Sequence, residues 1–418
     1  MLSVAEALAF LFAAVRPVRE VDTISTLAAN GRVLALDQAS TIDVPSADNT
    51  QMDGYAVRAA DCASGAARLK VTQRIPAGQV GAPLDPGCAA RIFTGAMIPP
   101  GADAVVMQEQ CDAHEDGTVT VRDAPPAGQW IRRAGEDIRT GATILAAGTR
   151  LRSQELGLAA STGLASLPVV RRLRVAVFFT GDELTMPGEA PGGVLAPGAI
   201  YNSNRYTLRA LLENLGCDIA DFGIVPDTLA ATRATLRAAA RDNDLIITSG
   251  GVSVGEEDHI KPAVEAEGRL NMWQIAVKPG KPLAFGEVNK ADNNHDNNHD
   301  NNHDAAFFIG LPGNPVSSLI TFMLFVRPFI LRLQGVRAPA PARAFAMRAD
   351  FAWPKADRRN EFLRARINDA GGLDLFPNQG SGVLTSTVWG DGLIDNPPGR
   401  TIAPGEMVRF IPFSELLY

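Results

Sequence analysis

The residues best suited to chemistry sit in a few short turns. Leu245 to Asp258 reads LIITSGGVSVGEED, an apolar strand running into a glycine turn and then into Glu256, Glu257 and Asp258. Glycines after a strand let backbone N–H groups approach an anion closely, yet the carboxylates that follow repel one. A magnesium ion reconciles the two. It takes oxygen ligands, commonly one or two carboxylates plus substrate phosphate oxygens, so the turn can hold a phosphate while the acids hold its metal. Ser249, Gly250, Gly251 and Ser253 are the phosphate-side candidates. The turn carries neither GK[ST] nor GxGxxG. A plainer reading stays open on these residues alone, in which the glycines serve the turn and the acids cap the next helix. Further acids stand in TGDEL (Asp182, Glu183) and VPDT (Asp227), and GLPGNP supplies another glycine turn with Pro312 and Pro315. Lys278 and Lys281 flank a Pro-Gly turn in VKPGKP, where two point charges on a stiff backbone suit a compact oxyanion, although the pair taken alone reads more simply as solvated lysines of a hairpin.

These turns need a scaffold that brings strand ends together. LRVAVFFTGDEL is apolar on both faces, as in a sheet covered on each side. NSNRYTLRALLENLG follows with Leu208, Leu211, Leu212 and Leu215 on one helical face and Gly216 as the stop. Strand IADFGIVPD, helix LAATRATLRAAARD, strand LIITSGG, a helix from about His259 and strand LNMWQIAV continue the alternation. Such β/α alternation predicts a doubly wound, mainly parallel sheet, with ligands beyond the carboxyl ends of its strands. AAFFIGLPGNPVSSLITFMLFVRPFILRLQG reads as a buried strand, a tight turn and a long helix with Asn314 as cap and Pro315 in its first position.

Around this unit lie smaller ones. LKVTQRI, CAARIFTG, AVVMQEQ and TVTVRD alternate with Gly/Pro turns and predict a small β-domain. FAMRADFAW, EFLRARI and EMVRFIPF predict a second one near the carboxyl end. Helical patterns are read at 26–40 and from Ser153, and Ser3 with Glu6 forms a capping box for an N-terminal helix. The fold class is thus multidomain α/β plus β: a helical and linker unit at 1–44 and 140–168, a β-domain at 45–139, a central α/β domain at 169–337 and a barrel-like β-domain at 338–418.

Composition limits the function. A formal charge of −7 argues against general nucleic-acid binding, and no apolar run is read as long enough to span a membrane. Cys62, Cys88, Cys111 and Cys217 show no CxxC spacing and fit scattered reduced thiols of a cytoplasmic protein. DNNHDNNHDNNHD, with His295, His299 and His303 four apart, lacks apolar residues and reads as a polar extension of a hairpin rather than a metal-binding helix. His114 and His259 are too isolated to nominate as ligands.

DNTQMDGYAV, RIFTGAMIPPGADAVVMQE, TGDEL, GIVPDT, SGGVSVGEED, VKPGKP and GLPGNPVSS occur in an order that resembles the molybdopterin molybdenumtransferase family, the MoeA type, similar also to the gephyrin E domain. The resemblance implies a MogA-like central domain. The implied reaction is insertion of molybdenum from molybdate into adenylylated molybdopterin, with release of AMP and a need for Mg2+. It also implies a homodimer, with each cleft completed by the other subunit's β-domain, and as partners the molybdopterin-adenylylating enzyme and downstream cofactor acceptors. Carried over by position, it nominates Asp53, Thr94, Glu183, Asp227 and Asp258 as catalytic, with Asp227 and Asp258 on the metal. Lys278, Lys281, Pro312, Pro315, Arg359, Arg364 and Ser381 join the binding set. The DNNH repeat departs from the family's short turn and is expected to be a tolerated insertion. Two alternatives are molybdopterin adenylylation and a gephyrin-like scaffold. The added β-domains speak against the first, and the presence of the acids and lysines speaks against the second.

Overall fold

The computed structural model of the protein describes residues 1–252, 259–280, 282–290, 305–337 and 342–417. Helix α1 (Val4–Ala14) begins with the predicted capping box: Ser3 Oγ accepts from Glu6 N at 3.2 Å and the Glu6 carboxylate accepts from Ser3 N at 2.8 Å. Its Ala7 and Leu11 are buried in the core of the central domain. The helix expected at 26–40 does not form. One 3-10 turn, Thr26–Ala28, is all that remains of it. Gly31 turns to a φ of +75°, and the amides of Gly31, Leu34 and Ala35 donate to the carbonyls of Leu151, Thr149 and Pro168. Strand-like pairing across the chain therefore wins over local helical bonding. In the same unit Val21–Ser25 pairs antiparallel with Ser166–Val170, beside the helix Ser153–Ser161.

The first β-domain is a six-stranded sheet ordered Ala104–Met107, Gly54–Val57, Cys88–Ile92, Ala67–Ile75, Thr118–Val121, Cys111–Ala113. The four runs read as strands all form. Alternate residues separate onto two faces, with Val57, Leu69 and Val119 in one cluster and Ala56, Ile75 and Ile92 in another.

The central domain contains, in chain order, β1 (Arg174–Thr180), α2 (Ser203–Asn214), β2 (Asp218–Val225), α3 (Leu229–Asp242), β3 (Leu245–Ser249), α4 (Ile260–Glu267), β4 (Gly268–Gln274), β5 (Val277–Lys278), β6 (Pro282–Asn289), β7 (Ala305–Leu311), α5 (Pro315–Thr321) and α6 (Arg327–Leu333). The sheet order is β2-β1-β3-β7-β6-β4; β2, β1, β3 and β7 are parallel, and β6 and β4 run antiparallel. Helices cover both faces. Val175, Val177 and Phe179 of β1 pack with α1, α2, α5 and α6, while Ala176 and Phe178 face α3 and α4. This is why the strand is apolar from Val175 to Phe179.

The chain from Pro315 to Leu333 corrects the expectation that no run could span a membrane: it is 19 residues long and apolar enough, but 78% buried as a core helix. A π-helical turn, Phe322–Val326, joins its halves. Pro328 has no N–H to donate and its ring opposes the carbonyl four residues back, so the turn before it loosens.

The last domain is a sheet ordered β5-β9-β10-β11-β8, with β8 (Phe345–Arg348), β9 (Asn360–Ile367), β10 (Gly392–Asn396) and β11 (Met407–Pro412). Strand β10, GLIDN, escapes the sequence reading because two of its five residues are polar and one is glycine. The edge strand β5 comes from the central domain, with Lys278 in register with Glu361 of β9. The DNNH repeat lies outside the described residues.

Candidate active site

Strands β1, β2, β3 and β7 end side by side at Thr180, Val225, Ser249 and Leu311, and the four turns beyond them meet in one open cleft of about 760 Å³. Glu183, Asp227, Ser249, Gly250, Gly251, Lys278, Pro312 and Pro315 line it from the central domain. Arg359 and Ser381 line it from the last domain. Ten nominated residues, separated by up to about 200 positions, are thus brought together. Asp258, Ser253 and Lys281 lie outside the described residues, as do Glu256 and Glu257.

Glycine is required where the turns crowd. Gly250 has a φ of +102°, and a Cβ there would stand 2.7 Å from Thr180 O. Its amide donates to Leu311 O at 3.1 Å, tying the ends of β3 and β7 together. Ser249 is buried and its hydroxyl is engaged, donating to Pro312 O at 2.9 Å and accepting from Asn204 Nδ2 at 2.8 Å. Asn204 also donates to Gly313 O at 2.8 Å. The Ser249 side chain therefore holds the two glycine turns in place, and the backbone of the turn is what faces a ligand. Asn314 takes the N-cap position of α5 but makes no side-chain capping bond; it lines the cleft instead.

The cleft is lined by both signs of charge. Glu183 is exposed in the turn after β1, and Asp227 stands directly before Thr228, whose hydroxyl caps α3 by accepting from Ala231 N at 3.3 Å. Asp182 is exposed and does not line the cleft. Where the last domain's sheet joins the cleft, Lys278 Nζ donates to Glu361 Oε1 at 3.0 Å and lies 3.3 Å from Asp357 Oδ2. Glu361 is buried, and its other oxygen accepts from Trp353 Nε1 at 2.8 Å and Asn396 Nδ2 at 3.2 Å. Asp357 also holds Arg359 through both carboxylate oxygens, at 3.0 and 2.9 Å. The Arg359 hydrogen bonds in particular keep the Asp357 carboxyl far below its ordinary range, against the opposing effect of burial.

Arg364 requires correction as a ligand-binding residue. It is fully buried: Nε donates to Ser386 Oγ at 3.0 Å and Nη2 to Gly380 O at 3.1 Å. Burial lowers its pKa to about 10, which still leaves it charged at neutral pH. Its guanidinium secures the loop that carries Ser381. That loop is also bonded to α5, because Val316 N donates to Ser381 O at 3.0 Å.

Asp53 and Thr94 are not in this cleft. They meet each other in the first β-domain, where Asp53 Oδ1 accepts from Thr94 Oγ1 at 2.6 Å and Thr94 N at 2.8 Å, and these bonds hold the carboxyl below its usual pKa. Arg91 lies beside them, stacked 4.6 Å from the Phe93 ring and donating to Gly54 O at 2.8 Å.

Sequence reasoning missed Asp357, Glu361 and Asn204. For Glu361 a signal existed: an acid next to the apolar run of a strand, in NEFLRARI, is costly to bury without a partner. A second cavity of about 470 Å³ opens near the opposite ends of the strands, beside Arg16, Arg171, Asp244 and Phe307. Arg16 is paired with Glu287 and Arg171 with Asp244, and none of the four turns reaches it, so it is not the candidate site.

Comparisons with known proteins identify the family to which the chain is similar. Family profiles match along the chain: the MoeA N-terminal region (domain I and II) at 2–163, a probable molybdopterin binding domain at 176–332, and the MoeA C-terminal region (domain IV) at 346–413. A molybdopterin molybdenumtransferase of Haemophilus influenzae is 41% identical over 395 residues, 93% of each chain. A Nostoc protein of the same name is 35% identical, covering 92% of this chain and 86% of that one. Gephyrin of Dictyostelium discoideum is 34% identical over 76% of this chain and 47% of its own length. Among solved structures, a molybdopterin biosynthesis moeA protein from Pyrococcus horikoshii OT3 superposes with a TM-score of 0.83 at 26% identity, covering 99% of this chain and 100% of that one.

Proposed function

This chain belongs to the MoeA-type molybdopterin molybdenumtransferases of molybdenum cofactor biosynthesis, and from that premise we propose that its cleft joins molybdate to adenylylated molybdopterin, releasing AMP in a Mg2+-dependent reaction. The observation that carries this reading is that one cleft holds both signs of charge, with Glu183 and Asp227 in turns after central-sheet strands and Lys278 and Arg359 where the last domain's sheet joins it. The backbone at Gly251 takes the phosphate side, since the Gly250 amide is committed to Leu311 O, and the two cations take the tetrahedral dianion.

Magnesium fits the residues present. Glu183 and Asp227 offer two carboxylates at a glycine turn, the donor set the ion accepts when phosphate oxygens complete its shell. Asp227 would hold it, together with Asp258 as the resemblance implies; bound there, the ion neutralises the charge of a pyrophosphate. The chain's own residues hold the two substrates side by side in one cleft, which removes much of the entropic cost of their encounter.

We assign Asp53 and Thr94 to the neighbouring subunit's cleft in a homodimer. Their separation from the acids in this chain supports that reading. In the same scheme the protein is cytoplasmic, receives its substrate from a molybdopterin-adenylylating enzyme and hands its product to cofactor acceptors. The deciding assay follows AMP release and active cofactor from adenylylated molybdopterin and Mg2+, with and without molybdate. Asp227→Ala should abolish the molybdate-dependent release while remaining folded. Release that is independent of molybdate would instead favour an adenylyl-transfer role.

A further inference from the structure

Both cations that line the described cleft, Lys278 and Arg359, are bonded to the same carboxylate. Asp357 Oδ2 lies 3.3 Å from Lys278 Nζ and 2.9 Å from Arg359 Nη2, and Asp357 Oδ1 accepts from Arg359 Nε and Arg359 N at 3.0 Å each. With Glu361 on Lys278 Nζ as well, two positive charges face two negative ones. The cluster is neutral before any anion arrives. The two acids differ in setting. Glu361 is 1% exposed and fastened by Trp353 and Asn396, whereas Asp357 retains 18% side-chain exposure and precedes β9 in the chain.

We propose that Asp357 is an internal counter-ion that occupies the place of the oxyanion on Lys278 and Arg359, and that the bound oxyanion displaces it. Its carboxylate oxygens occupy the same donors, Lys278 Nζ and the Arg359 guanidinium, that the oxygens of a tetrahedral dianion would use. Asp357 is thus a specificity-setting residue: it makes a weak or singly charged anion a poor competitor for the two cations, and it keeps them from being left unpaired when the cleft is empty. Glu361, which has no freedom to leave, remains as the positioning residue that aims Lys278. The inference rests on the proposed oxyanion side of the cleft.

The two roles available to Asp357 differ in sign. A merely structural carboxylate, once removed, leaves Lys278 and Arg359 disordered and weakens oxyanion binding. A competing carboxylate, once removed, strengthens it. Molybdate would be titrated calorimetrically into the full-length wild-type protein, Asp357→Asn and Asp357→Ser at two salt concentrations, with Lys278→Ala as the reference. Both Asp357 substitutions should lower the molybdate Kd by roughly tenfold, the scale of one close charge coupling, and should raise the affinity for sulfate at least as much. Two neutral replacements of different size keep the test intact if one of them folds poorly. Unchanged or weaker binding in a folded variant overturns the counter-ion. If Lys278→Ala also leaves the molybdate Kd unchanged, the oxyanion side itself has been misassigned, and both readings fall together.

Discussion

Replacing Arg364 by methionine separates stability from function at the loop that carries Ser381. Methionine keeps most of the apolar stem and removes a guanidinium that donates to Ser386 Oγ at 3.0 Å and Gly380 O at 3.1 Å. Hydrogen bonds from a charged donor are each worth about 1.5–3 kcal/mol net, so their loss costs roughly 3–6 kcal/mol. Burial works the other way. A pKa lowered from 12.5 to about 10 by desolvation corresponds to about 3 kcal/mol that the variant no longer bears. The expected net loss is therefore small, at most about 3 kcal/mol, which urea unfolding would follow through the tryptophans of that domain, Trp353 and Trp389. The functional loss should be larger. With Gly380 released, Ser381 is no longer fixed against α5, and the molybdate concentration required for half-maximal turnover should rise on the order of tenfold with kcat less affected. An unchanged molybdate dependence, or a stability loss above about 5 kcal/mol, would refute the view that this arginine acts by holding a loop of the cleft.

Three further outcomes are expected. Co-expressed Asp53→Ala and Asp227→Ala chains, each inactive alone, should recover about a quarter of wild-type turnover, because half of randomly paired dimers retain one intact cleft; no recovery would remove the shared-site arrangement. Gly250→Ala should lose about 2–4 kcal/mol in thermal or urea unfolding, since its Cβ would stand 2.7 Å from Thr180 O at a φ of +102°; a melting curve like wild type would show that the turn can shift. Burial pushes the Cys217 thiol up to about 12, so it should resist a thiol reagent at neutral pH until the protein unfolds. Because its folded pKa is raised, stability is unaffected below the ordinary thiol pKa and declines as pH rises from about 9 toward 12, an effect that Cys217→Ser should reduce.

Much of the central domain was legible in the sequence because its strands are apolar on both faces and its helices on one. Each parallel strand also ends in a turn with glycine or acid, which puts Glu183, Asp227, Gly250 and Pro312 at one edge of the sheet. The stretch at 26–40 misled because its apolar spacing fits a helix, while the partners that claim its amides lie more than a hundred residues away. Arg364 misled for a different reason. Sequence similarity identifies a charged residue but says nothing of whether it faces the cleft or lies behind it. Asp357 was missed because its value lies in contacts with a strand of another domain, and no local pattern records such pairing.

That shared strand also bears on the order in which the site can come into being. Protein chains emerge amino end first, so Glu183, Asp227 and the glycine turns have their scaffold once residue 333 has left the ribosome. Lys278 has been made by then, but Glu361, Trp353 and Asn396, which aim it, have not. The acidic half of the cleft can therefore exist before the cationic half has its geometry. A chain stopped short of β10 could display a folded nucleotide-type sheet while lacking a formed oxyanion side, so completion of the last sheet is the step that confers competence.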